Sequence, residues 1–418
     1  MPPQLSTPED QATSRYLEVA RGLADEIWAR RVHAKDHSVT WFKPGRVEQE
    51  RRSVRIDPFL YDGTSGIALA FAALSRVTDE VEYRDRSLQT IAPLRYRMAE
   101  LVAVPERAAR LRLGLGGGIG LGALIYSFLQ LARLLEEPAL ASEAYTLLAL
   151  LTEERIASDE SLDILYGGAG AILAMVALHR AVPSAPDRAV APLEIALACA
   201  RHLATCRSPA GEHRAWKTFP LFPPLSGFSH GAAGICYSLL RLYGETGEAW
   251  LLDVAAEGLA FERSLYSMEQ RNWRDLRTPE RPRFESAWCT GAPGIALARL
   301  GTLDILDDDV VREEIHVGLE TTERLPLTPL DHLCCGNMGR VEILFQASRC
   351  LRDTELRESA ERLVSVVLDR AGASGFCWRF VQDRETFDPT FFTGAAGVAY
   401  SLLRLVAPDD LACLLLLE

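Results

Sequence analysis

Seven times along its 418 residues the chain repeats one short design: a glycine, two residues and usually a second glycine, then an aliphatic residue and a mostly apolar run. The instances begin at Gly63-Thr64-Ser65-Gly66, Gly118-Ile119-Gly120-Leu121-Gly122, Gly167-Gly168-Ala169-Gly170 and Gly231-Ala232-Ala233-Gly234. They continue at Gly291-Ala292-Pro293-Gly294, Gly336-Asn337-Met338-Gly339 and Gly394-Ala395-Ala396-Gly397. Their last glycines, at 66, 122, 170, 234, 294, 339 and 397, are spaced by 56, 48, 64, 60, 45 and 58 residues. Self-similarity on this scale means that one supersecondary unit is used repeatedly, because a single unit cannot bury its own apolar face.

The run after each turn reads as helix, as in Ile67-Ala68-Leu69-Ala70-Phe71-Ala72-Ala73-Leu74, and is apolar nearly all round, the mark of a helix buried on every side. Between these runs lie amphipathic segments such as Ser142–Leu148, Pro192–Leu197 and Ser359–Val364. Little sustained two-residue alternation appears, so no sizeable sheet is expected. The pattern predicts an all-α fold, an α/α toroid of about seven inner and seven outer helices, with the Gly-x-x-Gly turns gathered at one end. Residues 51–418 are expected to form this barrel, with residues 1–50 adding an outer helix (Ala12 to Arg31) and a polar connection through Gly45 to the same domain. Glycine is expected in the turns because it lets the backbone turn tightly. Functional side chains are expected on that rim.

A formal net charge of −12 argues against a nucleic-acid surface, which needs a basic patch. The N-terminus is polar and acidic, without the basic and apolar regions of a secretory signal. No apolar run reaches the roughly 18 residues of a membrane helix. Nine cysteines without such a signal suggest reduced thiols, and hence the cytoplasm.

The flanks of the turns are unequal. Cys289 lies just before the fifth turn, and the pair Cys334-Cys335 just before the sixth. A lone cysteine is ordinarily a small buried hydrophobe, which is how Cys199, Cys206, Cys236, Cys350, Cys377 and Cys413 read. Three thiolates delivered to one rim read instead as a metal site, and a catalytic zinc characteristically keeps three protein ligands and one open position. His230 stands immediately before the fourth turn, as Cys335 does before the sixth. Asp163, flanked by apolar residues before the third turn, needs a partner if buried, and His230 is the natural one. Such a pair beside zinc is an acid–base device. Asp62 reads as a turn residue, and His332 as a structural neighbour of the cysteines.

At these residues the sequence resembles the lanthipeptide cyclases, the LanC-like family, and most of all the C-terminal cyclase domain of class II lanthipeptide synthetases. The motifs are Leu60-Tyr61-Asp62-Gly63-Thr64-Ser65-Gly66, Gly227-Phe228-Ser229-His230-Gly231, Trp288-Cys289-Thr290-Gly291-Ala292-Pro293-Gly294, Cys334-Cys335-Gly336-Asn337 and Thr393-Gly394-Ala395-Ala396-Gly397. The resemblance implies a toroid holding one Zn2+ ion, which adds peptide cysteine thiols to dehydroalanine or dehydrobutyrine and so closes lanthionine and methyllanthionine rings. It implies Cys289, Cys334 and Cys335 as ligands, His230 as the catalytic histidine, Asp163 as its partner and Trp288 as an active-site aromatic. Many members have Cys-His-Gly where this chain has Cys334-Cys335-Gly336, so a third thiolate here replaces an imidazole. That makes the site one charge more negative and its bound substrate sulfur more nucleophilic. Thr290 follows the first cysteine where some members carry an aromatic residue or a histidine. Glu285 stands near the place of the family's active-site arginine, which leaves Arg283 as the candidate substitute.

The implied partners are a dehydrated precursor peptide and a separate dehydratase, or one from which this domain has been excised. The same residues would also suit a zinc-thiolate enzyme adding glutathione or another small thiol to an electrophile. A non-catalytic peptide-binding scaffold would need no zinc. An α/α-barrel glycosidase would need two rim carboxylates, for which only Asp163, Asp62 and Glu285 are at hand.

Overall fold

A computed structural model describes residues 8–34, 38–44, 53–104, 107, 113–182, 191–278, 280–378 and 387–418. The polar connection through Gly45 lies outside them. Seven inner helices follow the seven glycine turns: Thr64–Thr78, Leu121–Leu134, Gly168–Ala181, Ala232–Thr246, Ala292–Leu300, Asn337–Leu351 and Ala395–Val406. Each packs on the next, and the seventh packs on the first, so the ring is closed. The fold is an all-α toroid.

Outer helices brace the ring. The first six inner helices pair with Val81–Ala103, Pro138–Thr146, Pro192–Thr205, Trp250–Arg263, Asp309–Arg324 and Thr354–Ser374. The seventh is covered by Pro8–Ala29, the N-terminal helix. Composition separates the layers as expected. Every residue of inner helix Ala292–Leu300 is buried, whereas in outer helix Thr354–Ser374 only five of 21 residues are. The buried charges of the inner layer are paired or, like Arg340, held by backbone carbonyls. Arg299 binds Glu262 and Glu314 on two successive outer helices, and Arg404 joins Glu342 across the sixth and seventh inner helices. Strand structure among the described residues amounts to four two-stranded antiparallel ribbons.

The last residues of the chain enter the ring. Leu414 to Leu417 are buried, and the carbonyls of Leu416 and Glu418 accept from Tyr237 Oη at 3.1 Å and Tyr126 Oη at 2.7 Å, on the fourth and second inner helices. This apolar segment fills the interior beneath the turns.

The glycines answer to contact more than to turning. A glycine of each turn (63, 120, 167, 231, 291, 336 or 394) caps its helix, and of these only Gly120 (φ 147°) and Gly291 (φ 80°) have positive φ. In six of the seven turns a Cβ on the last glycine would lie 1.9–2.4 Å from the carbonyl oxygen six residues earlier. The expectation of tight backbone turning therefore holds at two positions, and steric exclusion accounts for the rest.

Candidate metal and acid–base site

The turns present two concentric sets of residues. Of those immediately before the capping glycine, Tyr166, His230, Thr290, Cys335 and Thr393 are half-buried. Those one place earlier are Tyr61, Gly118, Leu165, Ser229, Cys289, Cys334 and Phe392, and all but Cys289 are buried. Backbone hydrogen bonds run through this second set from turn to turn. Cys334 N–H donates to Phe392 O (2.9 Å), Phe392 N–H to Tyr61 O (2.9 Å), Tyr61 N–H to Gly118 O (3.0 Å) and Gly118 N–H to Leu165 O (3.2 Å). Ser229 N–H donates to Cys289 O at 3.2 Å. Among the described residues no such bond joins Leu165 to Ser229 or Cys289 to Cys334, so the belt has two gaps.

The fifth–sixth gap holds the sulfurs. Cys289 Sγ is 3.4 Å from Cys335 Sγ, Cys334 Sγ is 3.3 Å from Cys335 Sγ, and all three lie within 4.8 Å of one another. A tetrahedral ion with metal–sulfur bonds of about 2.3 Å sets its ligands about 3.8 Å apart, so this donor set fits zinc. Both turns are anchored from behind. Asn272 Oδ1 accepts from Ala292 N–H at 2.8 Å, and its amide donates to Glu285 O at 3.0 Å. Fully buried Asp331 binds Arg370 on the sixth outer helix and accepts from Cys377 N–H at 2.9 Å.

Without an ion, hydrogen bonds from Cys289 and Cys334, helped by the Arg277 cation, hold the Cys335 thiol well below its ordinary range. The same sharing pushes Cys334 well above it. His332, with its pKa lowered by burial, accepts from Cys335 N–H at Nδ1 (3.4 Å) and stays outside the sulfur cluster.

The third–fourth gap holds the carboxylate–imidazole pair. His230 Nδ1 lies 2.6 Å from Asp163 Oδ2, with Asp163 fully buried. Asp163 Oδ1 accepts from Tyr166 N–H at 2.6 Å, which fixes the carboxylate. Tyr166 stacks on the imidazole (5.7 Å, 13°), Phe219 meets it edge-on (4.9 Å, 66°), and Thr218 Oγ1 donates to His230 O at 2.7 Å. Nδ1 is thereby engaged, leaving Nε2 as the imidazole's open nitrogen.

Trp288 is 2% exposed, with Nε1 donating to Leu415 O at 3.1 Å and its ring against Phe228 and Phe392. It lies in the floor of the site. Arg283 is exposed and bridges Asp275 only through backbone, and Glu285 is exposed too. The arginine whose charge bears on Cys289 and Cys335 is Arg277, held in a fork by buried Asp275 (Nη2 to Oδ2, 2.6 Å). Arg277 has no fixed register to a turn, so no spacing marks it.

Among solved structures, the chain is similar to nisin cyclase, with a TM-score of 0.63 and 19% identity over 96% of this chain and 98% of that one. It is also similar to a GH76 α-mannanase of Bacteroides thetaiotaomicron, with a TM-score of 0.51 and 10% identity over 94% and 96% of the two chains. At these identities what is shared is the toroid. The model of the lanthionine synthetase C-like proteins matches residues 56–416, nearly the whole ring with every turn and every cysteine of the rim. The chain belongs to that family.

Proposed function

We propose that the protein is a zinc-dependent lanthipeptide cyclase, which adds cysteine thiols of a dehydrated precursor peptide to its dehydroalanine or dehydrobutyrine residues. The observation carrying this reading is the gathering of three sulfurs within 4.8 Å on the same rim as an oriented Asp–His pair. Cys289, Cys334 and Cys335 would hold the ion, which when bound keeps a substrate cysteine as thiolate at neutral pH.

The remaining chemistry belongs to side chains of the chain. Attack of sulfur on the β-carbon forms the C–S bond and moves the π electron pair toward the neighbouring carbonyl, leaving an enolate. His230 delivers the proton from Nε2 to the α-carbon. Asp163 fixes the tautomer through Nδ1–H and stabilises the imidazolium beforehand. Tyr166 and Phe219 hold the ring plane, and Trp288 closes the floor against water. The proton lost by the thiol is regained at carbon, so mass does not change. The substrate must already carry dehydro residues, so a dehydration reaction precedes this one. No helix among the described residues is long and apolar enough to cross a membrane.

The test is incubation of the zinc-loaded protein with a dehydrated precursor peptide, followed by thiol alkylation and mass spectrometry. Unchanged mass with loss of alkylatable thiols is expected. Thiols that persist at the rate of the enzyme-free control would remove the assignment.

A further inference from the structure

The turn that carries His230 is preceded by a run of six apolar residues, Phe219-Pro220-Leu221-Phe222-Pro223-Pro224. Both ends of the run are tied to that same turn. Thr218 Oγ1 donates to His230 O at 2.7 Å, and Leu225 O accepts from Ala232 N–H at 2.8 Å. Just upstream, buried Trp216 donates from Nε1 to Leu203 O at 2.8 Å. Within the run, Phe222 N–H donates to Phe219 O at 3.3 Å, which closes a turn with Pro220 and Leu221 at its tip. Three prolines, each with φ fixed by its ring, stiffen the loop. Phe219 meets two rings edge-on: the His230 imidazole at 4.9 Å and 66°, and Phe222 at 6.0 Å and 78°. Leu221, at 89%, is the most exposed large hydrophobic side chain among the described residues. An exposed leucine by itself needs no explanation. A stiff, uncharged loop that ends in that leucine and leans on the imidazole of the site does.

We propose that this loop is a shelf for the substrate peptide, receiving an apolar side chain that lies within about three residues of the reacting dehydro residue. This rests on the reading of the protein as a cyclase, and it names what that site selects. The reacting α-carbon has to come to Nε2 of His230, so the residues flanking it pass over whatever borders that ring. Two ring-to-ring steps, of 4.9 and 6.0 Å, lead from the imidazole to Phe222, a span that an extended peptide covers in about three residues. A leucine or phenylalanine laid on Phe222 and Leu221 leaves water together with them. A polar side chain gains nothing there, and a charged one loses hydration. Because the prolines hold the loop in shape beforehand, little ordering opposes the contact. The shelf thereby favours dehydro residues with apolar neighbours. Neither the sulfurs nor the Asp163–His230 pair makes that choice, since they act on atoms that every cysteine and every dehydro residue share.

The experiment gives the intact zinc-loaded chain synthetic peptides with one cysteine and one dehydroalanine at fixed spacing. They differ only in whether leucine or serine stands one, two or three residues from the dehydroalanine. Ring closure above the enzyme-free rate is followed by loss of alkylatable thiol. At one or more of these positions the leucine peptide is expected to have a kcat/KM about 10-fold or more above its serine counterpart. The difference should lie in KM, because the shelf holds substrate and transition state alike. Leu221→Ser and Phe222→Ser, each checked for wild-type circular dichroism, should erase most of that preference. Tyr96→Ser, which removes another bare side chain (77% exposed) from the outer helix Val81–Ala103, should keep it. Wild-type protein that closes leucine and serine peptides equally well would overturn the proposal and leave the cyclase reading standing. So would loop variants that keep the wild-type preference, a result that assigns the loop to a different occupant. Closure of neither peptide by the wild type would remove the cyclase reading and the shelf with it.

Discussion

Five of the seven seams between neighbouring turns are stitched by a backbone hydrogen bond, whereas the third–fourth and fifth–sixth are spanned by side chains. The stitched seams are joined through backbone atoms, at residues as different in size as Gly118, Tyr61 and Phe392. The two open seams are spanned by the candidate groups themselves: Asp163–His230 in one, the cysteine sulfurs in the other. In this rim, the candidate side-chain pairs meet where the ladder of amides is interrupted. The groups proposed to do the chemistry are also those that bridge the ring there.

The largest effect should follow from damage to a stitched seam. In Gly397→Ala the new Cβ would lie 1.9 Å from Phe391 O and 2.7 Å from Leu333 Cδ1, between the seventh and sixth turns. A loss of about 3 kcal/mol or more is expected in urea denaturation, and an unchanged midpoint would contradict the packing described here. Damage to an open seam should leave the fold and take the chemistry. Cys334→Ala should lose bound zinc and nearly all ring closure while keeping its helical circular dichroism. Metal retained at full stoichiometry would remove Cys334 from the ligand set. His230→Asn should keep zinc but slow cyclisation by about 10²- to 10⁴-fold, and unaltered kinetics would exclude it as proton donor.

The smallest effect concerns reactivity alone. A thiol ionises as pH rises through its pKa, so a lowered value means a larger thiolate fraction at a given pH. Metal-free protein at pH 7 should therefore be alkylated by iodoacetamide first at Cys335. Cys199 and Cys413, both pushed up to about 12 by burial, should stay unmodified. Equal labelling of the three in peptide maps would contradict this ordering.

Much of the architecture was legible because it is written locally. Seven glycine turns followed by apolar runs correspond to seven inner helices, and the amphipathic stretches at Ser142, Pro192 and Ser359 lie in or run on from outer ones. The outer helix expected within residues 1–50 is Pro8–Ala29. What is not local stayed hidden: this helix covers the seventh inner one, because the residues after Val406 turn into the ring instead. Among candidate site residues, Cys289, Cys334, Cys335 and His230 are visible from their register, since they stand one or two places before equivalent turns and so project to the same rim. Arg277 is not, because a loop carries it there and only the fork on Asp275 fixes its direction. Its exposed neighbour Arg283, nearer in sequence to Cys289, is the residue that linear distance favours.

The leucines that occupy the middle of the ring, with Leu415 pinned to Trp288 and Glu418 to Tyr126, decide how traffic at the rim must run. With that segment across the centre beneath the turns, a peptide substrate of the proposed reaction would reach the sulfurs from the rim and leave by the same side, not thread through the ring.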